Sequence, residues 1–439
     1  MKKAIVFTII FMFLFNYSLT FAEVAPAPSL TSEAVVVTSA DYGQPIYQLN
    51  ADKRFSPGAL TQALVGIIVL EKFDPEATVT IGDVESLVNP TDVNLGISQG
   101  DTLSVKQLIQ AMMIGSYDDA SNALALFASD DNYSEFISDM NKRATELGCI
   151  NSHFVNPTGT TDDNQYSTAA DMAKIYLKAY SMPTLKAILC SKTASVYDVP
   201  IRTNNYLFDN YLQTKYYYGA AAGGKAGYKG TSVCNLVSFA QSDGTQLMSV
   251  IMGGTKVDDV ISTFPDAKSV LQWGFDNYST AKAAKLGEII TQVKVRGGKN
   301  QNTVPLVAND ELNVLVTAED KLLPDSNIQK VINAPAKISA PVSKGQKIGT
   351  VDYIFKGEKV QSVNLVAATD LKATAWGSFI NLFSNKAFTI IFCVLVLGGI
   401  IYFAFVGPHL RRTIRKRERQ RRIEEKVRRN PRSDEFRGN

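Results

Sequence analysis

Two short apolar runs separated by turn residues open the folded part of the chain: Ala34 to Val37, then Asp41-Tyr42-Gly43, then Pro45 to Leu49. This pattern predicts two strands joined by a turn. Pro57 stands in the first turn of a segment whose apolar positions continue through Ile67, Ile68 and Leu70, which predicts a helix. From about Ser104 to Leu147, residues such as Leu108, Met112, Leu124, Phe136 and Met140 recur at helical spacing. Two strand-like runs, Val233 to Phe239 and Leu247 to Met252, hinge on Ser242-Asp243-Gly244 and lead into a helix ending near Tyr278. From about Ala283 to Asp370 the runs shorten and alternate with Gly, Pro, Asn and Asp: Ile289 to Val295, Leu312 to Val316, Lys347 to Phe355, Lys359 to Val366. The roughly 360 residues between the terminal segments are too many for one ordinary core. An α/β (α+β) domain over 23–282 and a small all-β domain over 283–372 are expected.

Two longer apolar runs mark the ends. Lys2 and Lys3 precede an uncharged stretch from Ala4 to about Phe15, and Thr20-Phe21-Ala22 precedes Glu23, the pattern of a signal peptide over 1–22. That stretch is too short to span a bilayer, which favours cleavage after Ala22 over retention as an anchor. Residues 387–406, Ala387 to Val406, carry no charge and are long enough for one transmembrane helix. Trp376, Phe379, Leu382 and Phe383, in the juxtamembrane segment 373–386, form an apolar approach to it.

Charge sharpens this picture. Residues 407–439 hold thirteen Lys and Arg against five Asp and Glu, so the positive-inside rule expects a basic cytoplasmic tail and an extracytoplasmic ectodomain on a single-pass cell-membrane protein. Set against the whole-chain net charge of +3, the exported part carries about −7. A juxtamembrane Arg cluster more often meets anionic lipid than nucleic acid, so lipid is the expected partner of the tail and nucleic acid is not.

Cys149, Cys190 and Cys234 outside the apolar run, with Cys393 inside it, are too sparse and irregular for a disulfide scaffold or a zinc site. His153 and His409 are the only histidines, and neither sits in a triad-like setting. No metal and no cofactor is expected.

The remaining chemistry lies in short motifs. Arg54-Phe55-Ser56-Pro57-Gly58-Ala59-Leu60-Thr61-Gln62 resembles the helix start that carries the Ser-x-x-Lys nucleophile motif of serine-type D-alanyl-D-alanine carboxypeptidases, the low-molecular-mass penicillin-binding proteins with a β-lactamase/transpeptidase-like fold. Ser116-Tyr117-Asp118 resembles that family's Ser-x-Asn, and Lys225-Ala226-Gly227 its Lys-Thr-Gly. Asn156-Pro157-Thr158-Gly159, the Tyr166 to Ala173 stretch and Asp119 to Ala125 carry further resemblance, which covers about residues 30–370. The resemblance implies an antiparallel sheet flanked by helices, followed by a β-rich C-terminal domain, in a bacterial cell-wall protein.

By the same resemblance Ala59 stands where the nucleophilic serine belongs and Gln62 where the lysine base belongs. Ala59 has no nucleophilic atom, and an amide cannot serve as a general base. Asp118 replaces an asparagine and Ala226 a threonine, while Ser116, Lys225 and Gly227 survive as the positions expected to hold a substrate carboxylate. The site thus loses a positive charge at Gln62 and gains a negative one at Asp118. Gln165, before Tyr166-Ser167-Thr168-Ala169, is expected to be a neutral surface change. Ser279-Thr280-Ala281-Lys282 matches Ser-x-x-Lys but has none of the family's surroundings.

Three readings follow. The first is a pseudoenzyme with a binding, scaffolding or regulatory role, its partner a peptidoglycan stem peptide or a protein of the cell wall, division or sporulation. The second is a working carboxypeptidase with a reorganised site, Ser116 activated by Lys225. The third is a plain structural spacer.

Overall fold

Strand β1 (Ala34–Ser39) has two cores, because successive side chains of a strand face opposite ways. Val35 and Val37 join one buried cluster, and Ala34 and Val36 join another. In this computed structural model, residues 24–88, 93–211, 213–227, 233–317, 328–355, 357–374, 386–402, 404 and 407–429 are described. The expected signal peptide and Trp376 to Phe383 lie outside them.

The sheet around β1 is built from β2 (Pro45–Leu49), β3 (Ala221–Ala226), β4 (Val233–Ser242) and β5 (Thr245–Val257). Its order is β2-β1-β5-β4-β3, every pairing is antiparallel, and Val260–Ile261 adds a short strand to β5. The helices are α1 (Gln62–Lys72), α2 (Val105–Gln110), α3 (Asp118–Ala128), α4 (Tyr133–Glu146), α5 (Ala169–Ser181), α6 (Pro183–Leu189) and α7 (Thr263–Asn277). On one face of the sheet α7 contributes Phe264, Val270 and Leu271 to the cluster of Val35, Val37, Leu236 and Ile251. On the other, Val36, Val237, Phe239, Met248 and Val250 pack with the remaining helices. Helix α1 is buried from Gln62 to Val69 and apolar on nearly every side, as a helix enclosed by others must be.

The single helical stretch expected from Ser104 to Leu147 is three helices, for local reasons. Ser104 and Gln107 form a capping box that starts α2. The chain then widens into a π-helical turn over Ala111–Gly115, and Ser116, with φ at 60°, ends it in the left-handed region. Asp130 and Asp131, with φ at 47° and 63°, separate α3 from α4, and the Asn132 side chain accepts from Glu135 N to start α4.

The described residues fall into two compact units, one within 1–285, 311–331 and 352–363, the other within 286–310, 332–351 and 364–439. In the first, Tyr278–Ala284 pairs antiparallel with Leu312–Thr317, and Gln44 docks this ladder by donating to Leu315 O and accepting from Leu315 N. In the second, Ile289–Arg296 pairs antiparallel with Thr303–Ala308, and Lys337–Ser339 runs parallel to its end. Val293, Val295, Val304, Leu306, Leu365 and Leu371 fill its interior.

The apolar run expected to span a membrane over 387–406 is helical as α8 (Lys386–Ile401), followed by α9 (Gly407–Arg429). Sixteen residues rise about 24 Å, short of a hydrocarbon core of about 30 Å. Among the described residues, no helix is long and apolar enough to cross a membrane.

Asn235 ties three segments of the first unit together. Its side chain donates to Ser56 O at 2.8 Å and accepts from Gly253 N at 3.1 Å, and the residue is buried. Asn235→Ala leaves a buried donor, Gly253 N, and a half-buried acceptor, Ser56 O, unmet, the buried one at about 1–3 kcal/mol. The variant is expected to lose about 2–4 kcal/mol in urea unfolding; a loss below about 1 kcal/mol would show that water replaces both bonds.

Candidate functional site

The turn that carries Ala59 is set by backbone before any side chain acts. Pro57 enters it at φ −73°, and Gly58 follows at +58°, a left-handed conformation that glycine adopts without penalty. Gly159, φ +84°, sits so close that an added Cβ would lie 2.0 Å from Gly58 O. The 156–159 loop is thereby seated on the turn. Ala59 is buried in the 3₁₀ turn Gly58–Thr61, and the Tyr176 hydroxyl donates to Leu60 O at 3.2 Å.

Gln62 opens α1 and is fully buried. Its Nε2 donates to Thr158 O at 3.2 Å and lies 3.5 Å from Asp118 Oδ1, at the long limit for a hydrogen bond. Gln62 Oε1 has no hydrogen-bond partner among the described residues. Asp118, also fully buried, stands in the first turn of α3, where the helix dipole favours negative charge. Burial, and secondly the Asp118 charge, push the Tyr133 hydroxyl up to about 12.

Across the site, Lys225 lies near the end of edge strand β3, with 1% of its surface exposed. Its Nζ donates to Met112 O at 3.1 Å, Met113 O at 3.0 Å and Ser116 Oγ at 2.9 Å. The two carbonyls belong to the π-helical turn, and the left-handed bend at Ser116 brings the hydroxyl round to the same ammonium. Ala226 is fully buried, and Gly227 N donates to Asn235 O at 2.9 Å. A neutral cavity of about 180 Å³ opens beside the turn, lined by residues including Phe55, Ser56, Gly58, Gly159, Gly227 and Asn235.

The structure therefore gathers Gln62 with Asp118 and Ser116 with Lys225, and sets Ala59 one turn before Gln62. Gln165 departs from expectation. It is buried, its Oε1 accepts from Val155 N and Asn156 N at 2.9 and 3.0 Å, and its Nε2 donates to Asn156 Oδ1 and Thr160 O at 3.0 and 3.3 Å. It holds the loop that offers Thr158 O to Gln62. Ser121, which donates to Pro157 O at 2.8 Å, fixes the same loop from α3 and was not singled out by its sequence setting. Asp119 does similar work, accepting from Gly96 N at 2.8 Å and Ile97 N at 3.2 Å. The available signal was a loop of Pro and Gly whose carbonyls and amides need side-chain partners. The Ser279-Thr280-Ala281-Lys282 match lies on a strand, where residues three apart face opposite ways, and Lys282 pairs with Glu311.

Comparison with known proteins agrees with this geometry. The D-alanyl-D-alanine carboxypeptidase family, peptidase S11, matches residues 21–256, and the penicillin-binding protein 5 C-terminal domain matches 278–373. The D-alanyl-D-alanine carboxypeptidase DacF of Bacillus subtilis is 27% identical over 357 residues, 80% of this chain and 88% of the relative. DacA of Haemophilus influenzae, a D-alanyl-D-alanine carboxypeptidase, is 30% identical over 360 residues, 78% of this chain and 86% of the relative. The solved structure of penicillin-binding protein 5 from Haemophilus influenzae superposes with a TM-score of 0.62 at 27% identity, covering 79% of this chain and 99% of that one. A peptidoglycan synthesis regulatory factor, PBP3 of Streptococcus pneumoniae, shares the fold at a TM-score of 0.65 and 16% identity, covering 79% of this chain and all of its own. With a family match over more than half its length and relatives covered nearly end to end, the chain belongs to the D-alanyl-D-alanine carboxypeptidase family.

Proposed function

We infer that this chain is a membrane-anchored member of its family that no longer cleaves, and that it binds or scaffolds at the bacterial cell wall, with a peptidoglycan stem peptide or a wall, division or sporulation protein as partner. One observation carries the reading: the buried turn offers a methyl group at Ala59 and an amide at Gln62, the latter directed at Thr158 O and Asp118. Loss of the nucleophile or the base in a serine peptidase costs roughly a millionfold in kcat. The alternative enzyme, Ser116 activated by Lys225, has the 2.9 Å contact in its favour. Yet two of the three Nζ contacts are to the carbonyls of Met112 and Met113, which can only accept and so hold Nζ as a donor rather than leave it facing Ser116 alone. The fold and the neutral cavity remain available to bind. The signal peptide over 1–22, anchoring through 387–406 and a cytoplasmic tail complete the proposal, supported by the apolar runs and the charge asymmetry of the ends.

The direct test is calorimetry with a stem peptide ending in D-alanyl-D-alanine, run beside an assay for released D-alanine. Affinity without turnover is the expected result. Release that disappears in Ser116→Ala would favour the reorganised enzyme.

The protein is expected to form no covalent adduct with excess benzylpenicillin, read as an unchanged intact mass, because acylation needs a hydroxyl at the helix start.

Ala59→Ser alone is expected to stay near background, since its hydroxyl would stand beside an amide. The quadruple variant Ala59→Ser, Gln62→Lys, Asp118→Asn, Ala226→Thr is expected to gain penicillin acylation first and peptidase activity second, far from additively. A quadruple variant that melts cooperatively but never acylates would show that the backbone at this site has also drifted.

In spheroplasts, protease added from outside is expected to degrade the ectodomain and spare an epitope placed after Arg429. Loss of the epitope in intact spheroplasts would reverse the proposed topology.

A further inference from the structure

The charge of helix α9 is unevenly distributed around its axis. At about 100° per residue, Arg411, Arg415, Arg419, Arg422, Lys426 and Arg429 fall within an arc of about 80°, and Arg412 and Lys416 extend it to about 140°. No Asp or Glu lies in that arc. Glu418, Glu424 and Glu425 share the rest of the circumference with Arg417, Arg421 and Arg428, three charges of each sign. The net +8 of the helix therefore sits on one face, about 27 Å long between Arg411 and Arg429. These side chains are exposed, as is Ile423, the one apolar side chain described within the arc.

The geometry points to a docking face for a flat anionic lipid surface, along which α9 lies lengthwise. This deepens the proposed anchoring and rests on it: a chain inserted through 387–406 delivers Gly407, the first residue of α9, to the headgroup layer. Three features favour a lipid leaflet as the occupant. The basic face runs the length of the helix from Arg411 to Arg429, it has an apolar side chain within it, and in sequence it follows directly on the apolar run. A polybasic segment at such a surface binds about fivefold more tightly for each basic side chain, and the attraction falls off over a Debye length of about 8 Å. A helix with its side chains is about 10–12 Å across, so charges on the far face act at a third of that strength or less. Position on the helix, rather than total charge, then sets binding.

Two variants of equal charge separate these cases: Arg415→Gln, Arg419→Gln, Arg422→Gln on the basic face, and Arg417→Gln, Arg421→Gln, Arg428→Gln on the other. Glutamine forms helix about as well as arginine, so α9 is retained in both. The full-length protein is placed in nanodiscs of phosphatidylcholine with or without phosphatidylglycerol, and amide hydrogen exchange is followed over 407–429. Phosphatidylglycerol is expected to slow exchange in the unmodified protein. The basic-face variant should lose that protection by about a hundredfold, and the other by about fivefold or less. Equal losses would overturn the proposal in favour of total charge, and no slowing by phosphatidylglycerol would overturn it outright. A 20-nucleotide RNA that slows exchange in pure phosphatidylcholine discs more than phosphatidylglycerol does would replace lipid with nucleic acid. A wash of vesicles at about 1 M salt, where the Debye length is about 3 Å, tests the anchor separately. Release of the unmodified protein at that salt would refute anchoring, and retention with equal losses in the two variants would refute the docking face alone.

Discussion

An ammonium taken out of water must be met by oxygen, and leaving one unmet costs several kcal/mol. Lys225 imposes that requirement where the sheet edge meets the helical layer. Meeting it takes two carbonyls, from Met112 and Met113, and the Ser116 hydroxyl, so α2 gives way to a π-helical turn and Ser116 takes a left-handed conformation uncommon for a serine. Asp118 then falls at the head of α3, opposite Gln62. The geometry around the site follows from satisfying one buried charge, whether or not a reaction takes place there.

Much of this was legible in the chain, and the parts that were not have a common cause. Strand β1, the helix after Pro57 and the hairpin of β4 and β5 follow from local periodicity and turn residues, which act over a few positions. Ala59, Gln62, Asp118 and Ala226 stood out because motif spacing survives substitution. Gln165 did not, because a glutamine in a loop looks the same in sequence whether its amide meets water or four backbone and side-chain partners. The division of 104–147 into three helices was hidden for a similar reason: Ser116, Asp130 and Asp131 carry positive φ without a glycine to announce it. Of the apolar run of 387–406, the part up to Ile401 lies in α8, and that helix is shorter than a membrane span needs.

The two ends of the molecule's chemistry differ in what they ask of the protein. The site buries its charged and polar groups and spends backbone geometry to satisfy them. The tail leaves its charged side chains exposed, with the net positive charge gathered on one face of a helix. A pocket of about 180 Å³ lined by neutral groups sits between these extremes, able to distinguish shape and hydrogen bonding rather than charge.

The contact between Gly159 and the carbonyl of Gly58 bears on how such a protein changes over generations. Side chains such as those of Ala59 and Ala226, both buried, can be changed one at a time on a given main chain. The seat of one loop on the other cannot, since even a methyl group there would collide with backbone. The close approach of the two loops thus constrains the main chain more tightly than the side chains it carries, and the fold stays recognisable where motif residues differ.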